Sequence, residues 1–377
     1  DPDIGLELSY GSLSGNLLGG LSFNNIQVHL PQFSAQVTGL DLEIELAQLL
    51  DSRVVLNRLN LRQPRITIHA SDDEPPSVPD IDFNALPVEI HGPHITAPGL
   101  QLSVGGIDYQ ANTLDLAASL VGNEVRVSRL ALAMEGISVS GNLSLILRDA
   151  LPLAADLDYE WRRALPLDYE VASGSVVLRG DLSTLTVSNE LVMPGRVSSS
   201  GTIEQLFDDS GPAFAFQHRA NSLQLPVAAI AHLAASDLVV DTVSRGSDLL
   251  LSLGGNLDGE LIPGIPRLAV SGEAVLSGQS LAISSIQLSR ESGTATGSGS
   301  VEWANGVSVV ADFALQENNP QVILPENFPS SVAALTATGS VQWRELGPGN
   351  EPELLLDIGA LQARLGDYDM GGSGRIT

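Results

Sequence analysis

Residues 40–46 read LDLEIEL, and that stretch decides the fold class. Apolar and acidic residues alternate strictly, and side chains on an extended strand point alternately to its two faces. Leu40, Leu42, Ile44 and Leu46 therefore share one side, while Asp41, Glu43 and Glu45 line the other, which must be wet. The same period returns in RLNLRQPRITIH (58–69), VRVSRLALAM (125–134) and ISVSGNLSLIL (137–147). It continues in GSVVLRGDL, LTVSNELVM, RLAVSGEAVL and LAISSIQLS. Gly, Asn, Asp or Pro punctuate these segments at intervals of about eight to twelve residues, the cadence of turns between short strands. The chain is read as nearly all β.

Helical signal is sparse. PVAAIAHLAAS (226–236) is the best candidate, with Pro in the first turn and small apolar residues after it, and ELAQLLDS (45–52) suggests a shorter turn. One stretch breaks the rhythm: SDDEPPSVPDIDFNALPVEIHGPHITAPG (71–99) is dense in proline and carries three consecutive acids. Proline is excluded from central strands, so this stretch is expected to be a linker or an edge loop. The expected organisation is a β module over 1–72, an acidic, proline-rich linker or edge loop over 73–98, and repeating β units over 99–377.

The repeat is visible in two nearly identical phrases, TATGSGSVEW (294–303) and TATGSVQW (336–343). Self-similarity at a regular spacing marks a stacked architecture rather than a pair of active sites. A shared grammar extends further. A small-residue strand containing Ser-Gly or Thr-Gly leads to an apolar strand, a turn and a third alternating strand. Trp303 and Trp343 fall at equivalent places. Each unit is too small to bury its own apolar face, so neighbours must stack.

Composition narrows the function. The 377 residues carry a net charge of -27, and the 18 basic residues counted as Lys+Arg are all arginine. Such a surface repels nucleic-acid phosphates, and no basic stripe interrupts it. The absence of cysteine removes disulfides, thiolate metal sites and cysteine nucleophiles together. No apolar run approaches the roughly 20 residues of a membrane span. Because DPDIGLELSYG opens directly in strand-like sequence, the chain is expected to be a fragment whose targeting segment has been removed.

Catalytic signatures are missing. Gly-x-Ser-x-Gly does not occur, and without lysine there is no P-loop, Schiff base or Ser-x-x-Lys site. TGSGS (296–300) lacks the third glycine of a phosphate cradle and reads as repeat strand. His91 and His94, in HGPH, are the only close histidine pair. The surrounding prolines forbid the helix that this spacing would suit, so they read as solvated loop residues rather than metal ligands. The acid clusters at Asp72, Asp73 and Glu74, at Asp208 and Asp209, and at Asp367 and Asp369 read as turn and surface carboxylates. DYDMGG opens like a calcium loop but lacks its later ligands. Aromatic content of 4% leaves few platforms for stacking sugars. Neither an enzyme nor a cofactor or metal site is expected.

What remains is the apolar face. In a sandwich it would pack on a second sheet about 10 Å away. Few bulky aromatics are available to fill such a core, so the alternative is a sheet curled into a trough that contacts an apolar guest. Strand parity selects Leu40, Leu42, Ile44, Leu46, Leu59, Leu61, Ile66 and Ile68 as its candidate lining.

The segment from Tyr10 to Ile66 resembles the TamB family of AsmA-like proteins. The likeness lies in the Gly-x-Leu-x-Gly-x-Leu turn (Gly11 to Leu17), the GGLSFNNI strand, and LEIELAQLL followed by LNRLNLRQPRI. The acidic, proline-rich break, LPVEIHGPHITAPGLQLSVGG and the later repeats follow in the same order. That resemblance implies an all-β, elongated, repeating antiparallel sheet, curled into a taco-like groove with an apolar lining and few short helices, as in bridge-like lipid-transfer proteins. It further implies a periplasmic protein of a Gram-negative bacterium, anchored in the inner membrane by a segment absent from this sequence. The implied guests are phospholipid acyl chains, and the implied partner is the outer-membrane barrel TamA, met through another absent segment. Two other readings are an assembly scaffold for autotransporters and outer-membrane proteins acting by β-augmentation, and a β-solenoid adhesin or spacer with a dry core.

Overall fold

The computed structural model describes residues 7–30, 33–68, 87–104, 107–148, 150–162, 171–193, 195–205, 212–224, 234–262, 265–303, 306–322, 331–344 and 353–376. Strand makes up 81% and helix 3%, so the all-β reading holds. The chain divides into two compact units, residues 1–194 with 202–212, and residues 195–201 with 213–377.

In the first unit, β1 (Glu7–Ser9), β2 (Ser12–Asn16), β3 (Gly20–Leu30) and β4 (Phe33–Ile44) lead to a 3-10 helix, η1 (Leu46–Asp51). After it come β5 (Arg53–Arg62), β6 (Arg65–Ile68), β7 (Glu89–Thr96), β8 (Leu100–Val104) and β9 (Ile107–Val121). The unit continues with β10 (Glu124–Met134), β11 (Ile137–Ile146), β12 (Leu153–Trp161), β13 (Ala172–Gly180) and β14 (Thr184–Met193). From β9 onward each strand pairs antiparallel with the next. Two pairings depart from the antiparallel expectation, since β5 runs parallel to β7 and β6 parallel to β8. Parallel neighbours need a connection of a dozen residues or more, and the acidic, proline-rich stretch between Ile68 and Glu89 supplies that length.

Part of the expected linker at 73–98 is strand. Residues 69–86 lie outside the described residues, but Glu89–Thr96 form β7. Pro93 is tolerated there because the pairing of β7 with β9 shifts register between Gly92 and Ile95, and proline suits such an irregularity. Most of the helix expected at 226–236 also falls outside the described residues, while Ala234–Ser236 open a strand. The turn expected at 45–52 is η1.

β15 (Val197–Glu204) is divided between the two units. The second unit adds β16 (Ala213–Gln224), β17 (Ala234–Arg245), β18 (Asp248–Ile262), β19 (Ile265–Ser277), β20 (Ser280–Arg290) and β21 (Gly293–Glu302). It closes with β22 (Ser308–Glu317), a short 3-10 turn (Pro320–Val322), β23 (Val332–Arg344), β24 (Glu353–Leu365) and β25 (Tyr368–Ile376). From β16 to β25 every neighbour is antiparallel. Gly246 and Gly278 stand in its tight turns at φ 60° and 54°, a conformation that carries no steric penalty for glycine.

The apolar phase changes along the opening strands of the first unit. On β4 the run Ala35, Val37 gives way to Leu40, Leu42, Ile44; on β3 Leu21, Phe23 gives way to Ile26, Val28. Asn25, at φ 51°, stands at the change on β3, and Gln63, at φ 48°, stands at the matching place between β5 and β6. The pairing register is the same on both sides of that row, with Phe23 opposite Leu40 and Ile26 opposite Val37. A left-handed residue offsets the two-residue alternation, so a shift made together by neighbouring strands keeps the apolar residues of both halves on one side.

Buried hydrophobic side chains are few and mostly small. Among the described residues they are Val37, Ala97, Ala111, Val127, Leu151, Ala155, Leu185, Ala220, Ala235, Leu268, Val270 and Val332. Twelve such residues do not make the interlocked core of a sandwich, whose inner faces are sealed by one another.

Candidate functional site: an apolar sheet face

In the second unit the parity rule is clearest on β21 and β22, which pair without a register shift, whereas on β20 the apolar phase moves from Ile283 to Ile286 at such a shift. On β21 the odd positions are Gly293, Ala295, Gly297, Gly299 and Val301, and the even ones Thr294, Thr296, Ser298 and Ser300. On β22 Val309, Ala311, Phe313 and Leu315 are half-buried, whereas Val310, Asp312, Ala314 and Gln316 are exposed. One face is therefore greasy and only half covered, and the other is polar and open.

The twin phrases find their explanation on that face. β21 and β23 flank β22 in matching register, so that Gly297, Phe313 and Gly339 stand in one row. The row extends across eight strands as Leu253, Gly272, Ile286, Gly297, Phe313, Gly339, Ile358 and Gly374, large and glycine by turns. At Gly339 in this row, and at Gly174 and Gly201 elsewhere, the missing side chain leaves room for a neighbour's ring. A Cβ on residue 339 would lie 2.8 Å from Phe313 Cζ, one on residue 174 would lie 2.9 Å from Tyr159 Cζ, and one on residue 201 would lie 2.7 Å from Phe216 Cδ1. The Ser-Gly and Thr-Gly dipeptides thus mark where a large side chain crosses from the next strand.

Small residues gather on β21 and large ones on β20 and β22, so a slot runs along β21. Its volume is about 230 Å³, with Ile283, Ile286 and Leu288 on one wall, Ala295, Gly297 and Gly299 on the floor, and Ala311 and Phe313 on the other wall. The wall strands are two strand spacings apart, about 9.6 Å, and the lining stretch from Ala295 to Val301 spans roughly 20 Å. Trp303 lies two residues beyond Val301 at the end of this slot, its N–H donating to the Gln279 carbonyl at 3.1 Å. A hollow of about 410 Å³ in the first unit is of another kind, because Asp115, Ser140, Asp158 and Glu160 face it. It lies on the face that carries these polar side chains, with Ala131 and Ala133 between them.

The residues selected by parity distribute unevenly. Leu40 stands opposite Leu61 and Leu42 opposite Leu59, a two-by-two block extended by Phe23 and Leu21 on β3. Ile44 faces Leu56 after a register shift. Ile66 pairs with Ala35 and Leu102, beyond the change of phase. All of these are half-buried. Leu46 is not on the strand, which ends at Ile44; it opens η1, where the two-residue rule no longer applies. Ile68 is the last residue of β6, and its side chain lies outside the described residues. Parity overlooked the glycine row, although the repeated Thr-Ala-Thr-Gly was its signal.

Several of the described titratable residues form pairs at the surface. His91 and His94 lie on β7 rather than in a loop, His91 against Glu89 at 3.0 Å. The His91 contact, with Arg53 beside it, holds the Glu89 carboxyl below its ordinary range against the opposing pull of burial. Asp369 pairs with Arg364 at 3.1 Å in the last hairpin. The acids at 72–74, 208 and 209 lie outside the described residues. Among the described residues no three His, Cys, Asp or Glu side chains gather as metal ligands, and no helix is long and apolar enough to cross a membrane.

No curated protein and no solved structure matches the chain. A family described as "TamB, N-terminal domain" does match, over residues 72–344. That span takes in β7 through β23, with six of the eight positions of the glycine row, and covers well over half of the sequence; the chain belongs to the TamB family.

Proposed function

We propose that this chain carries phospholipid acyl chains on its apolar face, as a periplasmic, inner-membrane-anchored bridge toward the outer membrane. The observation that supports this reading is the open slot along β21, apolar on its floor and both walls. Its floor of roughly 20 Å compares with the roughly 15 Å that one leaflet's chains occupy in a bilayer, so part of a tail can lie along the strand while the rest stays at the open mouth. Each methylene withdrawn from water contributes about 0.8 kcal/mol, so a sixteen-carbon chain leaving a bilayer unaided faces a cost of roughly 10 kcal/mol or more. Successive slots replace that single step by transfers between similar apolar surroundings. Head groups stay on the wet side, and the acidic polar face discourages the outside from adhering flat to anionic bilayers over the screening length of about 8 Å.

Native mass spectrometry of the chain, purified from a phospholipid-containing host and again after mixing with vesicles, tests this reading. Adducts of phospholipid mass in integral steps are expected. A chain that stays bare under both conditions overturns it.

A second reading has one observation in its favour. Among the described residues β25 pairs with β24 alone and all nine of its residues are exposed, so within these residues its second edge is open to an incoming strand. Under that reading the chain assists outer-membrane proteins and autotransporters together with TamA. Crosslinks from β25 to client strands, insensitive to lipid, would favour it.

A further inference from the structure

At one end of the first unit, four leucines stand clear of the sheet. Leu17 and Leu18 form the tip of the β2–β3 hairpin, and Leu49 and Leu50 lie on η1. Leu18 is 91% exposed and Leu50 92%, with Leu17 at 55% and Leu49 at 47%, so none of them contributes to a core. The two turns are neighbours: Leu21 of β3 pairs with Leu42 of β4, so the hairpin leads into β3 at the end where β4 runs out into η1. Both are built turns. Asn16 Oδ1 accepts from the N–H groups of Leu18 at 3.0 Å and Gly19 at 2.8 Å. Ser52, at φ 56°, ends η1 with its N–H on the Leu49 carbonyl.

Exposed leucines held on ordered turns call for an apolar phase. We propose that these two turns dip together into the acyl region of a lipid bilayer and hold this end of the first unit against it. A bilayer suits them better than a folded partner, for two reasons. The leucines protrude from two separate turns instead of lining a flat, hydrogen-bonding surface. The arginines nearest in the chain, Arg53 and Arg58, are already committed to Glu89 and Glu43, so attraction to anionic head groups is weak and the contact rests on apolar burial. The inference stands apart from the acyl-chain slot, which lies in the other unit.

Flotation of the whole chain with vesicles of phosphatidylcholine and phosphatidylethanolamine tests it. Wild type is expected to float at both 0.1 and 1 M salt, and the double variant Leu18→Ser, Leu50→Ser to lose at least tenfold in partitioning while keeping its far-ultraviolet spectrum. The sequence has no cysteine, so Leu18→Cys can be labelled with a polarity-sensitive dye at a single place. Its emission should shift to the blue on adding vesicles, while the same dye at Ser247→Cys, on an exposed turn, should not respond. Wild type that stays at the bottom, flotation abolished by high salt, an unchanged double variant, or self-association through the leucines without vesicle binding would each overturn the proposal. Phospholipid adducts in native mass spectra should survive the double substitution, so failure here and failure of the slot reading are separable.

Discussion

The ring of Phe313 lies over Gly339 on the neighbouring strand, close enough that a methyl group on residue 339 would meet Cζ at 2.8 Å and the Asp357 carbonyl at 2.3 Å. Only a residue without a side chain leaves both where they are. Gly339→Ala should therefore destabilise the second unit by about 1–3 kcal/mol, the usual cost of overpacking. Gly254→Ala, where nothing lies within 4 Å, should change stability by less than about 0.5 kcal/mol. Urea unfolding followed by tryptophan fluorescence would separate the two. Equal effects would mean that the glycines serve the chain's flexibility rather than its packing.

That relationship also shows where the sequence could be read and where it could not. Strict alternation placed Leu40, Leu42, Leu59 and Leu61 on one face, and they are cross-strand partners there. The rule ran out where the backbone left the extended state. Leu46 is past the end of β4, and Ile66 is past the left-handed Gln63. Parity counts residues and cannot see a conformation that adds half a turn. β7 was hidden by Pro93, because composition does not tell a linker from a strand that accommodates proline at a register shift. The glycine row was written in the repeated Thr-Ala-Thr-Gly, but its meaning depends on Phe313 and Ile286, which lie on other strands and come opposite only through pairing.

A buried ion pair closes one end of β21. Glu317 is 2% exposed, and its Oε2 lies 2.7 Å from Arg290 Nη2, while Oε1 accepts from the Asn319 N–H at 2.7 Å. Burial alone would raise this carboxyl, but the Asn319 N–H, Arg290 and Ser292 together hold it below its ordinary value of 4.5. Arg290→Ala strands the carboxylate and should cost roughly 2–4 kcal/mol, toward the low side of buried pairs because Arg290 keeps some exposure. The folded state binds Glu317's proton less readily than the unfolded chain. Its contribution is thus complete above pH 4.5 and lost as the pH falls below it. Glu317→Gln should flatten that acid limb of the thermal midpoint. An unchanged limb would place the acid sensitivity elsewhere.

His218 gives the opposite group type with the same direction of pH dependence. It lies between Ser199 Oγ at 2.8 Å and Thr242 Oγ1 at 3.3 Å and stacks on Phe216, with ring centroids 6.0 Å apart. Burial pushes the imidazole below its ordinary 6.5, opposed in part by the charge of Asp241. The unfolded chain therefore takes up a proton first as pH falls through 6.5, and stability declines from there down to the folded-state value, by at most about 1.4 kcal/mol per pH unit. His218→Gln keeps a hydrogen-bonding side chain without titrating, so the slope between pH 6.5 and 5 should shrink. A variant with the same slope as wild type would exclude His218 as its source.

A hydrocarbon chain lying along β21 has to pass over Ala295, whose partners across the strands are Leu288 and Leu315, and approach Trp303 at the slot's end. Phospholipids brominated on one acyl chain should quench Trp303, read in a variant whose other two tryptophans are replaced by phenylalanine. Ala295→Leu extends a side chain into the slot without asking a glycine to accept one, so quenching should fall at least fivefold while the strand signal in circular dichroism stays. Ala314→Leu adds as much apolar surface to the neighbouring β22 but on its exposed side, away from the slot, and should leave quenching as it was. If both substitutions act alike, lipid is adhering to the sheet from either side, and alternation is not what guides it.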